Sequence, residues 1–289
     1  MTALDPRLNA FRPDLADARL QGKVTAARFV AGQVRGVVAA SAPLKRTPAS
    51  DAPLDTEVLR GETFTVFEDT PEGWSWGQLA TDAYVGYVPT DALRANPPAP
   101  THHISALRTF VYPGPDMKKP AVGALSFLAG VPLDREATTR GTRYLGLAGG
   151  EGWVVASTVA PVETSPAPDF VAVAERFVGS AYLWGGRTSL GLDCSALVQL
   201  ALMAAGKSAP RDTDMQEQVL GRPLSGGLTP DTRRGDLIFW KGHVAIVVDP
   251  DTIVHASGHH MAVVYERLAE AAGRIAHVGG APTSIRRLG

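Results

Sequence analysis

The chain has 289 residues, 45% of them hydrophobic and 20% charged, with a formal net charge of −1 and a pI near 6.7. That is the composition of an ordinary globular protein of about two domains, and nothing in its balance of charge suggests a nucleic-acid binder, which needs a basic patch or stripe. Its one cysteine, Cys194, excludes an intrachain disulfide, and no apolar run approaches the ~18 residues of a membrane span.

Residues 1–32 mix Asp, Arg, Ala and Leu, and Pro6 and Pro13 break any long helix, which predicts an extension packed on the rest. The segment also lacks the basic start and apolar core of a secretory signal, so a cytoplasmic protein is expected. Over 33–96 the texture changes to short runs, VRGVVAAS, EVLRGETFTVFED, GWSWGQL and AYVGYVP, rich in Val, Thr and aromatics and punctuated by Gly and Pro. Such short strands predict a small barrel or sandwich. The cluster NPPAP is a stiff connector. Over 97–163 the β texture resumes in ISALRTFVY, AVGALSFLAG, RYLGLAG and GWVVASTVAPV. GWSWGQL with GYVP is echoed by GEGWVVAS with VAPV, which predicts a divergent repeat of one β module. His102 and His103, beside the connector, read as solvated.

A second connector, ETSPAPD, opens the segment 164–289. FVAVAERFVGS places Phe170, Val171, Ala174, Phe177 and Val178 at helical spacing, with Asp169 as N-cap and Gly179 as stop. A glycine-rich loop, YLWGGRTSLGLDC, leads into SALVQLALMAAG, which is apolar nearly all round and predicts a buried helix stopped by Gly206. GDLIFW, HVAIVVD, TIVHAS and MAVVYE read as strands.

Cys194 falls at the start of that buried helix. Unpaired N–H groups and the helix dipole favour an anion there, so the position suits a nucleophilic thiolate of lowered pKa. A structural buried thiol fits the position equally well. A nucleophile needs a base, and the base needs an orienting partner. His243 starts one predicted strand and His255 ends the next, with Pro250 in a turn between them. A two-residue loop at Pro250–Asp251 puts the two histidines on opposite faces, whereas an odd loop or a bulge puts them on one face. The register stays open at this level. His255, His259 and His260 make a poor metal site, because adjacent histidines on a loop hold ligands badly, and no metal or other cofactor is expected. The loop WGGRTSLG lacks the lysine of a phosphate loop.

YLWGGRTSLGLDCSALV, APRDTDMQ, RRGDLIFW, HVAIVV and IVHASG together resemble the NlpC-type cysteine peptidases of bacterial cell-wall metabolism, over residues 169–289. The resemblance implies an α+β fold: a papain-like peptidase domain, 164–289, preceded by two small all-β SH3-like barrels, 33–96 and 97–163. It implies cleavage of the γ-D-glutamyl–L-diamino acid bond, with diaminopimelate as the diamino acid, in murein peptides that carry a free N-terminal L-Ala. It makes Cys194 the nucleophile, His243 the base and His255 its orienting partner. Tyr182 matches a residue beside the site, and Asp193 and Ser195 match positions that help hold substrate. Asp212 matches the acid that meets a free substrate amine, while Arg211 and Gln216 brace the site. From the first β module, Tyr84 and Glu62 are offered as part of the cleft wall. Ala196 departs from the glycine usual after the Cys-Ser pair, and Ala is the better helix former. An amidase or acyltransferase on the same core is the alternative activity, and an inert SH3-like wall-binding protein is the alternative without one.

Overall fold

The computed structural model describes residues 4–225 and 232–289. The chain divides into two compact units, Met1–Thr164 and Ser165–Gly289, with the boundary inside the second proline-containing connector. Helices and antiparallel sheets are mixed, and among the described residues no helix is long and apolar enough to cross a membrane.

The two halves of the first unit share one strand sequence. A first strand, Gln33–Val37, is followed by a hairpin of Ser41–Leu44 with Thr56–Leu59. A three-stranded meander follows, Thr63–Asp69, Trp74–Leu79 and Val85–Pro89, and a 3-10 turn at Thr90–Ala92 leads to Leu93–Ala95, which pairs back on the first strand. The second half runs the same way. His102–Ile104 is followed by the hairpin Arg108–Val111 with Gly123–Ser126, then the meander Leu133–Thr139, Thr142–Leu147 and Gly152–Val155. The turn Ala156–Thr158 then leads to Val159–Pro161, which pairs with His102–Ile104. The linking bridges correspond too, since Lys45 pairs with Tyr87 and Tyr112 with Trp153, each tying the hairpin to the last meander strand.

The sequence echo, however, joins strands that are not equivalent. GWSWGQL is the middle strand of its meander, and GEGWVVAS contains the last strand of the other. Trp-Gly pairs suit half-buried positions on any of these strands, so composition alone misassigns the register. His102 and His103 lie half-buried in a strand, and burial holds the His103 pKa below its ordinary value. The halves meet closely at Gly61 and Gly130, where the Gly130 N–H donates to the Arg60 carbonyl at 2.7 Å. Gly61 has φ +83°, and a Cβ there would lie 2.7 Å from the Gly130 Cα, so only glycine fits. The N-terminal arm packs on the first half. Ala10 and Leu15 join Phe67 and Trp76 in one apolar cluster, and the Arg12 guanidinium lies 4.3 Å from the Trp76 ring centre while donating to Glu68 at 2.6 Å.

The second unit is built on a six-stranded antiparallel sheet in the order Arg222–Pro223, Ser284–Arg287, Asp236–Trp240, His243–Asp249, Thr252–Ser257 and Ala262–Arg267. Helix α1 spans Phe170–Glu175, shorter than its apolar spacing predicts, with the Asp169 carboxylate capping Val171 N–H at 2.9 Å. Helix α2, Cys194–Ala204, packs against the central strands of His243 and His255, and α3 spans Thr213–Val219. Helix α4, Leu268–Gly279, and the strand Ser284–Arg287 are elements the sequence reading did not contain. Leu268, Ala271 and Ile275 of α4 pack on Ile238, Trp240, Ala245, Val247 and Ile253 of the sheet. Those anchors are spaced i, i+3, i+7, but the surrounding Ala and Gly residues weaken the pattern.

Candidate active site

Cys194 is the first residue of α2, and the whole first turn is buried. Asp193 caps the helix in an extended conformation, its Oδ1 accepting from Ala196 N–H at 2.9 Å. The glycine-rich loop closes over the same carboxylate. Gly185 has φ +74°, and its N–H donates to Asp193 Oδ2 at 3.0 Å. Arg211, 1% exposed, donates to both oxygens of Asp193 at 2.9 and 2.8 Å and to Ser195 Oγ at 2.9 Å. Gln216 Nε2 donates to the Ser195 carbonyl at 2.9 Å and to that of Pro210 at 2.8 Å. The Cys194 thiol itself lies 3.8 Å from Thr213 Oγ1 and interacts with the backbone N–H of Val244, the residue after His243.

The histidine pair arises from the adjacent hairpin. Asp249 pairs with Thr252 across the two-residue loop Pro250–Asp251, which by itself would separate the two histidines. A bulge between Val247 and Asp249 then shifts the register, so that Val247 faces Ile253 and Ile246 faces Val254. That one-residue shift moves every side chain of the paired strand to the other face. His243 and His255 therefore share a face, with His243 Nε2 and His255 Nδ1 2.8 Å apart. The chain continues beyond them. His255 Nε2 meets Glu266 Oε2 at 3.0 Å, and Arg274 of α4 clamps both Glu266 oxygens, Nε to Oε1 at 3.2 Å and Nη2 to Oε2 at 2.6 Å. The sequence reading missed Glu266 and Arg274. The available signal was alternation along AVVYER, which puts Glu266 on the face of Ala262 and Val264 once the strand is aligned.

Burial governs protonation throughout. It pushes the Cys194 thiol up to about 11, with the Asp193 charge adding to the shift, while the Val244 N–H, the Thr213 hydroxyl and Arg211 oppose it. Burial likewise takes His243 down to about 3 and His255 to about 4. The resting site thus holds a thiol beside a neutral imidazole, not the lowered cysteine pKa expected from the helix terminus alone, because desolvation outweighs the dipole.

The other expected residues lie as follows. Tyr182 is half-buried against Gly258, and burial, with the charges of Cys194 and Asp193, raises its hydroxyl above the ordinary value, so it remains a donor. Asp193 and Ser195 flank the nucleophile at the start of α2. Their side chains turn inward, and the carboxylate is filled by Gly185, Ala196, Ser195 and Arg211. A carboxylate this deep requires such partners, and they leave it bracing α2. Asp212 occupies the N-cap position of α3, half-buried, yet its side chain makes no capping bond. In the first unit Tyr84 is buried, while Glu62 accepts from Leu59 N–H at 2.7 Å and from Thr81 Oγ1 at 2.7 Å. His255, His260 and Glu266 offer three donor atoms within 4.8 Å of one another. Glu266 Oε2 is already shared by His255 and the Arg274 guanidinium, whose charge opposes a cation there.

A thiol at a capped helix N-terminus beside a strand-borne histidine pair defines the class as a cysteine peptidase. Residues 179–275 match the NlpC/P60 family model, and residues 44–93 match that of the bacterial dipeptidyl-peptidase Sh3 domain. The γ-D-glutamyl-L-lysine dipeptidyl-peptidase of Bacillus subtilis is 30% identical over 230 residues, which are 72% of this chain and 73% of the relative. Dipeptidyl-peptidase 6 of Lysinibacillus sphaericus is 27% identical over 238 residues, covering 76% of this chain and 86% of the relative. A solved NlpC/P60 family protein from Bacillus cereus shares the fold, with a TM-score of 0.69 over 88% of this chain and 99% of that one at 20% identity. The chain belongs to the NlpC/P60 family and carries an N-terminal bacterial SH3 domain.

Proposed function

We propose that the protein hydrolyses the γ-D-glutamyl–L-diamino acid bond of short murein peptides with a free N-terminal L-Ala, releasing an N-terminal dipeptide, and that diaminopimelate is the diamino acid. The observation that carries this reading is the Cys194 thiol on the buried helix terminus, beside Val244 N–H, with the His243–His255 pair on the adjoining strands. The names of the relatives supply the bond type.

In this reading His243 takes the thiol proton as sulfur attacks the γ-carbonyl carbon of D-Glu. The oxyanion receives hydrogen bonds from the Cys194 backbone N–H and the Tyr182 hydroxyl. Collapse breaks the C–N bond, and His243 delivers its proton to the leaving amine. Water then adds to the thioester, passing its proton through His243 back to sulfur and freeing the carboxylate. Asp212 pairs with the substrate ammonium. The second half of the first unit repeats the topology of the half that contains the Sh3 match, and on that ground we read 33–96 and 97–163 as two SH3-like barrels. The selectivity for short recycled peptides accords with a cytoplasmic location.

The test is a comparison by mass spectrometry of L-Ala-γ-D-Glu-diaminopimelate, its N-acetylated form, the peptide with L-Lys in third place, and purified sacculi. Rapid cleavage of the free-amine diaminopimelate peptide, slow cleavage of the acetylated one and intact sacculi are expected. Equal rates on the acetylated peptide remove the role of Asp212. Ready digestion of sacculi removes both the restriction to short peptides and the cytoplasmic location, and preference for the Lys peptide removes diaminopimelate as the favoured residue.

A further inference from the structure

The imidazole pair leaves one question open in chemical terms: which ring nitrogen of His243 is the base. Each neutral imidazole carries one N–H. A bond between His243 Nε2 and His255 Nδ1 can therefore run in either direction, and only one direction leaves His243 able to accept a proton at Nδ1. The pair alone does not choose.

Glu266 makes the choice. Its Oε2 stands 3.0 Å from His255 Nε2, and an ionised carboxylate only accepts hydrogen bonds. Burial works to raise the Glu266 pKa, yet hydrogen bonding and charge from Arg274, with the nearby His255 and His260, hold it below its ordinary value. The ionised carboxylate requires the proton of His255 on Nε2, so His255 Nδ1 must be the acceptor. His243 Nε2 must then be the donor, and Nδ1 of His243 is left to take the proton of Cys194. Arg274 fixes the carboxylate from behind by the two-point clamp described above, and it reaches the sheet only because α4 packs on the same face. The groups around this line are Arg274, His260 and the two imidazoles themselves. His260 lies 4.0 Å from Glu266 Oε2 and bonds to Ser257 Oγ at 3.0 Å, so it flanks the chain of bonds without interrupting it.

We infer that Glu266, clamped by Arg274, is a positioning residue that sets the tautomers of both histidines and so makes His243 Nδ1 the base. It touches neither substrate nor the reacting atoms and acts through His255. The inference rests on the proposed peptidase reaction for its rate effect, but the tautomers are independent of any substrate.

The test has two readouts. The first is nitrogen NMR of the histidine rings in the full-length wild-type protein at neutral pH. Both His243 and His255 are expected with the proton on Nε2, and a proton on Nδ1 of His255 overturns the inference whatever the substrate proves to be. The second is kinetics with the same spectra for Glu266→Ala and Glu266→Gln. Removing the outer hydrogen-bond partner of a metal-ligating imidazole typically costs about 10- to 100-fold, and a loss of the same order is expected where the imidazole orients a base. Glu266→Ala should lose that much in kcat with little change in KM, and its His255 signals should shift toward the other tautomer. Glu266→Gln retains an acceptor oxygen and should recover most of the rate and the wild-type tautomers. An unchanged kcat in Glu266→Ala, or a fall in kcat with the tautomers unmoved, contradicts the positioning role. Should Glu266→Ala fail to fold, the wild-type spectrum still decides.

Discussion

The site has two arms, each ending in a carboxylate and an arginine, and they do opposite things. On the nucleophile side, Asp193 and Arg211 form a closed pair whose acceptor positions are filled by the helix N-terminus, the glycine loop and Ser195. On the base side, Glu266 and Arg274 stand at the end of a line that passes through His255 to His243. The first pair holds a helix terminus still, and no imidazole lies along it. The second contains two imidazoles and so can hold a proton in alternative places. The same ion-pair chemistry serves as a brace when every partner is backbone or hydroxyl, and as an orienting device when the partner is a titratable ring.

The largest expected effect lies where the arms meet. Cys194→Ala and His243→Ala should each lower turnover by several powers of ten with circular dichroism and unfolding midpoint preserved. Residual activity above about a hundredth in Cys194→Ala is incompatible with covalent catalysis. The next effect separates the arms by stability. Arg211→Met leaves Asp193 buried without its charge partner, which should cost about 3–5 kcal/mol in urea unfolding. A loss below about 1 kcal/mol would mean that the brace is not closed.

His255→Ala should reduce kcat less than His243→Ala, since it removes an orienting group and not the base. Equal losses would give His255 a share in the proton transfer itself. The base arm should also be the acid-sensitive one. His243 and His255 are held at about 3 and about 4, below the 6.5 of an exposed imidazole. Below pH 6.5 the unfolded chain binds protons that the folded chain refuses, so stability falls as the pH drops from 6.5 toward 4. Urea midpoints at pH 7 and pH 5 measure this, and His255→Asn should show the shallower loss. The smallest effect concerns the resting thiol. With Cys194 pushed up to about 11, its alkylation by iodoacetamide should inflect above the ordinary ~8.5, and an inflection below that value would show a thiolate–imidazolium pair.

The two arms were also unequally legible in the sequence. The nucleophile arm is local: a capping Asp, a cysteine and an apolar helix are contiguous, and Arg211 follows in the next motif. The base arm depends on strand register. The bulge at Val248 decides whether His243 and His255 share a face, and no residue type around Val247–Asp249 announces it. Glu266 and Arg274 lie further along, and their roles exist only once Ala262–Arg267 is aligned and α4 is folded over the sheet. The same limit explains the β halves. Their repeat was legible as texture, but the equivalence of strands emerged only from the pairing of Leu93–Ala95 and Val159–Pro161 with the first strand of each half. Asp193 and Ser195 were legible as neighbours of the nucleophile, but that place does not reveal that Arg211 lies beneath them.

The most direct test of the central claim is a rapid acid quench of the wild-type enzyme during turnover of L-Ala-γ-D-Glu-diaminopimelate, followed by digestion and mass spectrometry. A thioester-linked L-Ala-γ-D-Glu group on the peptide that contains Cys194, absent from Cys194→Ala, is the predicted result. Continued release of diaminopimelate by Cys194→Ala, with no acyl group on Cys194 in the wild type, would contradict the account.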